Sequence, residues 1–299
     1  MRHDLTSLEL FVAVAECGNL TRAAERRHLA VSAVSKRIGE LEALAGTPLL
    51  VRQPRGVMLT PAGQSLLHHA RQMLQLVQRM DEELHEYAGG LRGHIRLHAV
   101  ASALIQFLPG DLESFLVCNP GVQLSLEEHT GKAVTQSVAD GSADIGIVAS
   151  QVSSSGLSTR PYRSDRLTLG VPEGHPLAGR EAVRFEEALA YPFVGPHADS
   201  SLAILMAQGA QACGRPLQQR IQVSSFDAMC RLAETRLGIT LLPSGVLAPH
   251  VAAGRLRSIE LQEAWAQRHM SIVFRDLGEL SHITRALIEH LQQAAPAAD

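Results

Sequence analysis

One uninterrupted segment with a heptad-like apolar repeat divides this chain into a short N-terminal part and a long C-terminal part. No proline or glycine occurs between Gly63 and Gly89, and apolar residues recur there at alternating steps of four and three. This stripe consists of Leu66, Ala70, Met73, Val77, Met80, Leu84 and Tyr87. The repeat favours a coiled coil between two copies of the chain, with a helix packed on its own domain as the alternative. We predict a long dimerisation helix at 61–90, between domains at 1–60 and 91–299.

The N-terminal domain has the apolar spacing of three short helices. Apolar residues at steps of three and four between Leu5 and Ala15 predict a first helix, which Gly18 ends. Thr21 is the predicted N-cap of a second helix, which ends near Leu29. This order predicts an all-α helix-turn-helix domain.

A third helix is expected over residues 32–42, with small and cationic residues at its N-terminal end. The major groove of DNA, about 12 Å wide, admits one helix, whose N-terminal residues reach base edges and phosphates. This helix is therefore a candidate recognition helix. The predicted DNA-binding residues of the helices are Thr21, Arg22, Val31, Ser32, Ala33, Ser35, Lys36 and Arg37.

Residues 49–60 are typical of two short strands around a Pro/Gly turn, which is the pattern of a wing. Arg52 and Arg55 flank the turn and are predicted to contact the minor groove or phosphates. The alternative is that any three-helix core has this spacing and that both arginines are solvated charges. The whole chain has a net charge of −3, yet its first sixty residues hold eight Lys or Arg against six Asp or Glu.

Six stretches of the first 63 residues share a recognisable pattern, and they are LFVAVAE at 10–16, NLTRAA at 19–24, AVSKRI at 33–38, LE at 41–42, GTPLLVR at 46–52 and LTPAG at 59–63. Together with the order of helices, turns and wing, this pattern resembles the N-terminal domain of LysR-type transcriptional regulators. The chain departs from the family where Ala30, Val31 and Ser32 replace a usual Ser-Gln-Pro, which removes a glutamine able to bond a base. Val31 is expected to contact a thymine methyl or to pack, so we predict an altered base preference with DNA binding retained.

Beyond Gly93, strands and helices alternate, which predicts an α/β domain with a largely parallel sheet. Strands are expected at 95–100, 122–126, 143–148, 167–171, 192–195, 221–223, 239–243 and 270–274, and helices at 104–117, 133–139, 185–190, 201–213, 226–236 and 283–293. We predict two lobes, one at 91–162 with 268–299 and the other at 163–267. The region is similar to the family's effector domain, which itself resembles periplasmic binding proteins.

Two such lobes enclose a cleft, where ligands lie at strand ends against helix N-termini that favour anions. The predicted effector-binding residues are Ser102, Thr130, Pro196, His197, Ser201 and Phe226. The resemblance implies that Ser102 and Thr130 hold the inducer and that Phe226 begins a helix behind the pocket. The alternatives are that the hydroxyl residues only cap helices and that His197 is a surface loop residue. A second departure from the family is Thr235-Arg236, which stands where Ala-Gly is usual and puts a tight glycine turn in doubt.

The sequence predicts a DNA-binding regulator that responds to a small molecule. The expected partners are double-stranded promoter DNA, a small-molecule effector such as an anionic metabolite, further copies of the chain in a homodimer or homotetramer, and RNA polymerase. Alternatives are a regulator with no functional effector, or a solute-binding or enzymatic α/β protein. Because the chain lacks the G-x-S-x-G, G-x-x-x-x-G-K and H-E-x-x-H motifs, we predict no enzyme activity and no cofactor.

The chain is also expected to lack metal sites and to act in the cytoplasm. His68 and His69 have no third ligand nearby in sequence and are interpreted as solvated. No apolar run is long enough for a membrane span and no signal peptide is evident. The four cysteines are scattered and are interpreted as reduced thiols, with a redox pair of Cys213 and Cys230 as the alternative.

Overall fold

The computed structural model describes residues 4–54, 56–87, 93–149 and 156–293. The chain forms two compact units, of which the first comprises Met1–Arg92 with Asp140–Ser142 and the second comprises Gly93–Ala139 with Ala143–Asp299. The elements of the N-terminal unit are α1 (Leu5–Cys17), α2 (Leu20–Arg26), α3 (Val31–Ala45), β1 (Leu50–Gln53), β2 (Gly56–Leu59) and α4 (Pro61–Tyr87). No helix of the described residues is long and apolar enough to cross a membrane.

Capping residues define the first helices. Asp4 caps α1 by accepting a hydrogen bond from the Ser7 backbone N–H at 2.9 Å, and Gly18 ends the helix in the left-handed conformation. The N-cap of α2 is Asn19, whose Oδ1 accepts from the backbone of Thr21 at 2.8 Å. The prediction that Thr21 caps this helix was therefore wrong. The helix begins at Leu20, before the predicted cap, so Thr21 lies in its first turn and its N–H is one of the groups that Asn19 accepts from.

The three helices and the start of α4 share one apolar core. Its buried members are Leu10, Phe11, Ala13, Val14, Ala23, Ala24, Val34, Ile38, Leu41 and Leu49, against which Leu66 and Leu67 of α4 pack. Glu42 ties α3 to the wing, because its Oε1 accepts from the backbone N–H of Leu49 at 2.9 Å and of Leu50 at 3.1 Å. The core therefore fixes the orientation of α3 relative to the wing.

The wing is an antiparallel hairpin of β1 and β2, with Arg52 paired with Val57. Gly56 lies so close to the end of α1 that a Cβ there would sit 2.2 Å from the carbonyl oxygen of Gly18. The neighbouring Val57 N–H donates to that same oxygen at 2.8 Å. Only glycine at position 56 allows this close docking of the wing on its own domain.

The C-terminal unit alternates strands and helices. Its first half contains β3 (Gly93–Ala99), α5 (Ala101–Gln106), α6 (Leu108–Cys118), β4 (Val122–Glu128), α7 (Gly131–Ala139), β5 (Ile145–Ala149), β6 (Ser158–Pro172), β7 (Ala182–Val183) and α8 (Phe185–Ala188). Its second half contains β8 (Phe193–Gly195), α9 (Ser201–Ala212), β9 (Gln219–Gln222), α10 (Phe226–Glu234), β10 (Thr240–Pro243), α11 (Ser244–Ala252), β11 (Leu256–Leu261), β12 (Gln267–Phe274) and α12 (His282–Gln293).

Two separate apolar cores confirm the two-lobed α/β architecture. Strands β3, β4, β5 and β12 build the core of the first lobe, and β8, β10 and β11 build that of the second. The strand β6 belongs to both lobes, because its first part pairs with β12 and its last residues pair with β10 and β11. Parallel pairing holds for β3 with β4 and β5 and for β8 with β9.

The prediction of a largely parallel sheet was too simple. Strand β12 runs antiparallel to both β5 and β6, and β10 and β11 run antiparallel to β6. The physical reason is that the chain crosses between the lobes on β6 and returns on β12, so these two strands point in opposite directions. The sequence also missed α11 and β11 and underestimated the length of β6.

The predicted helix at 104–117 is two helices that meet at Phe107. Pro109 lies in the first turn of α6, where its missing N–H needs no partner. In the interior of a single helix the same proline would remove a hydrogen bond and clash with the preceding turn. The proline therefore starts a new helix.

The departure at Thr235-Arg236 keeps the turn that glycine usually makes. Arg236 has a φ of 64°, and its N–H donates to the carbonyl oxygen of Ala233 at 2.9 Å. An L-residue in this left-handed region costs about 1–2 kcal/mol. The chain thus retains the tight end of α10 with a strained arginine.

Candidate DNA-binding surface and ligand cavity

The N-terminal end of α3 presents an exposed face opposite its buried stripe. Val34 and Ile38 are buried in the domain core, whereas Ser32, Ala33 and Lys36 are exposed and Ser35 is half-buried. Val31 is 42% exposed, so it does not pack into the core of its own domain. Of the two sequence interpretations of Val31, this exposure favours a contact outside the chain.

Arg37 points away from this face. Its guanidinium donates to Ser7 Oγ at 3.1 Å and lies 3.4 Å from the carboxylate of Asp4 at the start of α1. Hydrogen bonds from Ser7, with a smaller contribution from the Arg37 charge, hold the pKa of Asp4 below its usual value. These contacts make Arg37 a link between α3 and α1, a role that the sequence prediction of a DNA contact did not foresee.

The remaining predicted residues of this surface lie on α2 and the wing. Thr21 and Arg22 are exposed in the first turn of α2. Arg52 reaches from β1 to α3, where it donates to Ser35 Oγ at 3.4 Å. This contact brings a wing cation next to α3, the candidate recognition helix. Arg55 lies outside the described residues.

The apolar stripe of α4 divides into two parts. Ala70 is buried, and Leu66 is half-buried against the core of its own domain. Farther along the helix, four large apolar side chains are each about half exposed or more. They are Met73, Leu76, Met80 and Leu84. Val77 is half-buried, and the side chain of Tyr87 lies outside the described residues. The start of α4 therefore matches the alternative of a helix packed on its own domain, whereas pairing of the exposed part stays a prediction. Leu76 is exposed beside this part of the predicted stripe and was not included in it.

The C-terminal unit contains a cavity of about 240 Å³ between its lobes. All six predicted effector-binding residues line it, although they come from four separate parts of the chain. The polar and charged residues of the cavity that the sequence did not indicate are Glu128, His129, Asp199, Ser200, Ser224 and Arg268. The structure thus brings every predicted residue of this set to one place.

Four helices begin at the wall of this cavity. They are α5 at Ala101, α7 at Gly131, α9 at Ser201 and α10 at Phe226. The first backbone N–H groups of a helix have no partner within the helix and carry partial positive charge. Their convergence favours an anionic ligand.

Arg268 lies in the same wall, and its positive charge is compensated by a neighbouring carboxylate. It is buried and forms a two-pronged ion pair with Asp165, in which Nε donates to Oδ1 at 2.8 Å and Nη2 to Oδ2. Gln106 Nε2 donates to the same carboxylate at 3.0 Å. These bonds fix the position of the guanidinium. The sequence alone does not predict this position, because it depends on the register of the strands.

The hydroxyl groups of the cavity have different roles. Thr130 Oγ1 accepts from the Ala133 N–H at 3.4 Å and so caps α7, as one sequence alternative proposed. The N-cap of α9 is Ser200, whose Oγ accepts from the Ala203 N–H at 3.0 Å. Ser201 is therefore not a cap and lies at the cavity. Ser102 is buried in the first turn of α5.

Two family models match almost the whole chain. The first is described as a bacterial regulatory helix-turn-helix protein of the lysR family and matches residues 5–64, and the second, the LysR substrate binding domain, matches residues 88–296. The chain belongs to the LysR family of transcriptional regulators. It is therefore a DNA-binding regulator with a substrate-binding domain, as the sequence predicted.

Curated relatives of this LysR-type regulator extend over most of its length. The uncharacterized HTH-type transcriptional regulator YbhD of Escherichia coli is 29% identical over 94% of this chain and 88% of its own. The SDS degradation transcriptional activation protein of a Pseudomonas species is 32% identical over 87% of this chain and 85% of its own. These relatives are transcriptional regulators.

Solved structures of full-length regulators share the fold. A full-length OxyR variant from Pseudomonas aeruginosa has a TM-score of 0.77 at 21% identity and covers 98% of this chain and 94% of its own. CbnR in complex with its target DNA has a TM-score of 0.67 at 21% identity, over 97% of this chain and 99% of its own. These similarities confirm the predicted fold class.

The buried thiol of this LysR-type regulator is poorly suited to redox chemistry. Burial, with the nearby charges of Asp227 and Glu234, raises the pKa of Cys230 to about 12. The thiolate is the reactive form of cysteine. Cys230 is therefore expected to remain reduced, which disfavours the sequence alternative of a redox pair with Cys213.

Proposed function

We propose that this regulator binds promoter DNA as a homodimer or homotetramer, with α3 in the major groove. The proposal is supported by the exposed face of Val31, Ser32, Ala33 and Lys36 and by the wing arginine Arg52 next to it. A single recognition helix makes few base contacts, whereas a two-fold dimer reads an inverted repeat whose half-sites lie about one helical turn apart. The exposed stripe of Met73, Leu76, Met80 and Leu84 is the proposed pairing surface.

The proposed effector is a small anionic metabolite that binds in the cavity between the lobes. The observation that carries this proposal is the convergence of four helix N-termini on one cavity. The guanidinium of Arg268 in the same wall is paired with Asp165. The cavity volume of about 240 Å³ is below the range of about 300–1,000 Å³ for typical ligand pockets. The ligand is therefore expected to be small, with a carboxylate as the group that the helix N-termini bind.

Effector binding is expected to favour one arrangement of the two lobes and so to change how the subunits bind DNA. RNA polymerase is the proposed further partner, reached from the promoter-bound oligomer. The site of action is the cytoplasm. The cavity is assigned to ligand sensing, with no catalytic role proposed for its residues.

A thermal-shift screen of small carboxylates on the full chain tests the effector proposal. A ligand that binds only the native state stabilises it by about 2.7 kcal/mol at a concentration one hundred times its Kd. We expect at least one carboxylate to raise the Tm of the wild type, and Ser102→Ala to reduce that shift. Ser164→Ala is the matched control, because Ser164 bonds His269 and does not line the cavity.

A panel with no stabilising carboxylate, or a shift that survives in both variants, would contradict binding in this cavity. The first result would favour the alternative of a regulator whose cleft has no functional ligand. DNA binding, measured separately by fluorescence anisotropy, is expected in either case.

A further inference from the structure

Two histidines and a glutamate meet at the ends of two neighbouring strands of the first lobe. His98 on β3 and Glu127 on β4 are direct partners in the parallel register. His129 follows Glu127 by two positions, so both project to the same side of the extended chain. The backbone keeps this alignment past the end of β4, because the His129 N–H donates to the carbonyl oxygen of Ala99 at 3.0 Å.

The three side chains present their ligand atoms to one another. Nε2 of His129 lies 3.0 Å from Oε2 of Glu127, and Nε2 of His98 lies 3.7 Å from the same oxygen. One ligand atom from each residue lies within 4.8 Å of the others. In tetrahedral zinc sites, metal–ligand bonds of about 2.0–2.2 Å place neighbouring ligand atoms roughly 3.3 Å apart. Small side-chain rotations therefore suffice to close these atoms around one ion.

We propose that His98, Glu127 and His129 bind a divalent transition-metal ion, with Zn²⁺ as the best match. Two imidazoles and a carboxylate form a donor set that suits Zn²⁺. Ca²⁺ is a poor match, because it takes six to eight oxygen ligands, and Mg²⁺ also prefers oxygen. Among the described residues, this is the one group of three such side chains close enough to share an ion.

Burial gives the site a fixed side and an open side. His98 is 7% exposed and is held within the sheet, whereas Glu127 is exposed and His129 is half-buried. The partly open side provides an entry path and a fourth coordination position for water. Because His129 and its neighbour Glu128 also line the ligand cavity, the ion would lie at the edge of that cavity.

The sequence alone predicts no metal site. His98 and Glu127 are far apart in the chain, and only the register of β3 with β4 places them side by side. The pair His68 and His69, which the sequence did single out, stands on α4 with its ring centroids 5.4 Å apart. His68 and His69 are therefore the alternative site for any metal ion that the protein binds.

Competition between the metal-depleted full chain and a chromophoric zinc chelator tests the proposal without DNA or effector. The wild type is expected to bind one Zn²⁺ per chain, and His129→Ala and Glu127→Gln are each expected to weaken binding by at least tenfold. Both positions are partly or fully exposed, and Glu127→Gln keeps the shape of the side chain, so both variants should fold. The Tm of each metal-free variant checks this directly.

Two controls separate this site from other histidines. His94→Ala changes a histidine of the same strand, which bonds Ser125, and should leave zinc affinity unchanged. The double change His68→Ala with His69→Ala should also leave it unchanged. A wild type that does not compete with the chelator overturns the proposal, as does full zinc binding by Glu127→Gln and His129→Ala. In those cases the contact between Glu127 and His129 is only a hydrogen bond.

Discussion

The DNA-binding surface and the ligand cavity are built from the sequence in opposite ways. The exposed face of the recognition helix uses residues within the single segment 31–36. The cavity instead takes its wall from positions between Val100 and Arg268. A binding surface built from one helix can be recognised from the local spacing of residues. A site between two lobes depends instead on the register of the strands and on which strands cross between the lobes.

The two regions also differ in how they use charge. On the N-terminal unit, Lys36 and Arg52 are exposed, and their contacts with Glu40 and Ser35 are long, at 3.9 Å and 3.4 Å. At the cavity, Arg268 is buried and bonded to Asp165. Exposed charges on DNA-binding proteins act through phosphates and salt-dependent affinity, whereas a buried ion pair is fixed in position and costly to break.

The largest expected effect tests the buried charge of the cavity. Arg268→Met leaves the carboxylate of Asp165 buried without its cation, which is expected to cost about 3–5 kcal/mol of stability. The single tryptophan, Trp265, lies in the same unit, so its fluorescence during urea unfolding measures the loss. Arg257→Met removes an exposed ion pair with Glu173 and should change stability by less than about 0.5 kcal/mol. Equal losses of stability in the two variants would contradict the expected difference between the buried ion pair of the cavity and an exposed ion pair.

The next effect concerns the exposed part of α4. Met80→Glu places a charge in the proposed pairing stripe and is expected to dissociate the oligomer and to weaken binding to a two-half-site DNA by about a hundredfold or more. Sedimentation velocity and fluorescence anisotropy measure the two effects. His68→Glu, on an exposed position outside the stripe, is the control. An oligomer that survives Met80→Glu would mean that this part of α4 does not pair.

A smaller effect is expected for one cation of the recognition helix. If the Lys36 side chain contacts a base, Lys36→Ala should weaken DNA binding by about 1–3 kcal/mol. If it contacts a phosphate, the substitution should weaken binding to all DNA sequences equally and reduce the dependence of affinity on salt concentration. Titrations at several salt concentrations distinguish the two roles. Lys132→Ala changes an exposed lysine of the C-terminal unit and should leave affinity unaltered. No change for Lys36→Ala would argue against α3 as the recognition helix.

The smallest effect compares one strained position in each unit. His28 has a φ of 54° and Arg236 a φ of 64°. Replacing each with glycine removes a left-handed L-residue, and Arg236→Gly is expected to raise stability by about 0.5–1 kcal/mol after the added flexibility of the unfolded chain is counted. Thermal unfolding of His28→Gly and Arg236→Gly measures the gain. A loss of stability at Arg236 would mean that its side chain contributes more than its backbone costs.

Much of the fold was predictable because its signals are local. The caps, the apolar stripes and the Pro-Gly wing turn fixed the three helices and the hairpin, although Asn19 and not Thr21 caps α2. In the C-terminal unit the alternation of elements predicted two lobes, but the antiparallel return of β12 followed from no local pattern. Arg268 and His129 were missed at the cavity for the same reason. The pairing of β12 with the distant strand β6 places Arg268 there, and the end of β4 places His129 there.

The roles of individual side chains were less predictable than their positions. Arg37 stands in the recognition helix, yet it bonds Ser7 and Asp4 of α1. Leu66 follows the heptad spacing, yet it packs on the core of its own domain, and Ala70 of the same stripe is buried. Spacing along one helix defines a face, but the neighbours of that face are a tertiary property.

A footprint of the full chain on its own promoter DNA at low salt tests directly whether α3 and the wing bind DNA. We predict protection of two half-sites about one helical turn apart, with protection lost as salt increases because the phosphate contacts are electrostatic. The wild type and Val31→Gln should differ in the preferred base at one position of each half-site. Failure of the wild type to protect any DNA at low salt would contradict the central claim that α3 and the wing form a DNA-binding surface.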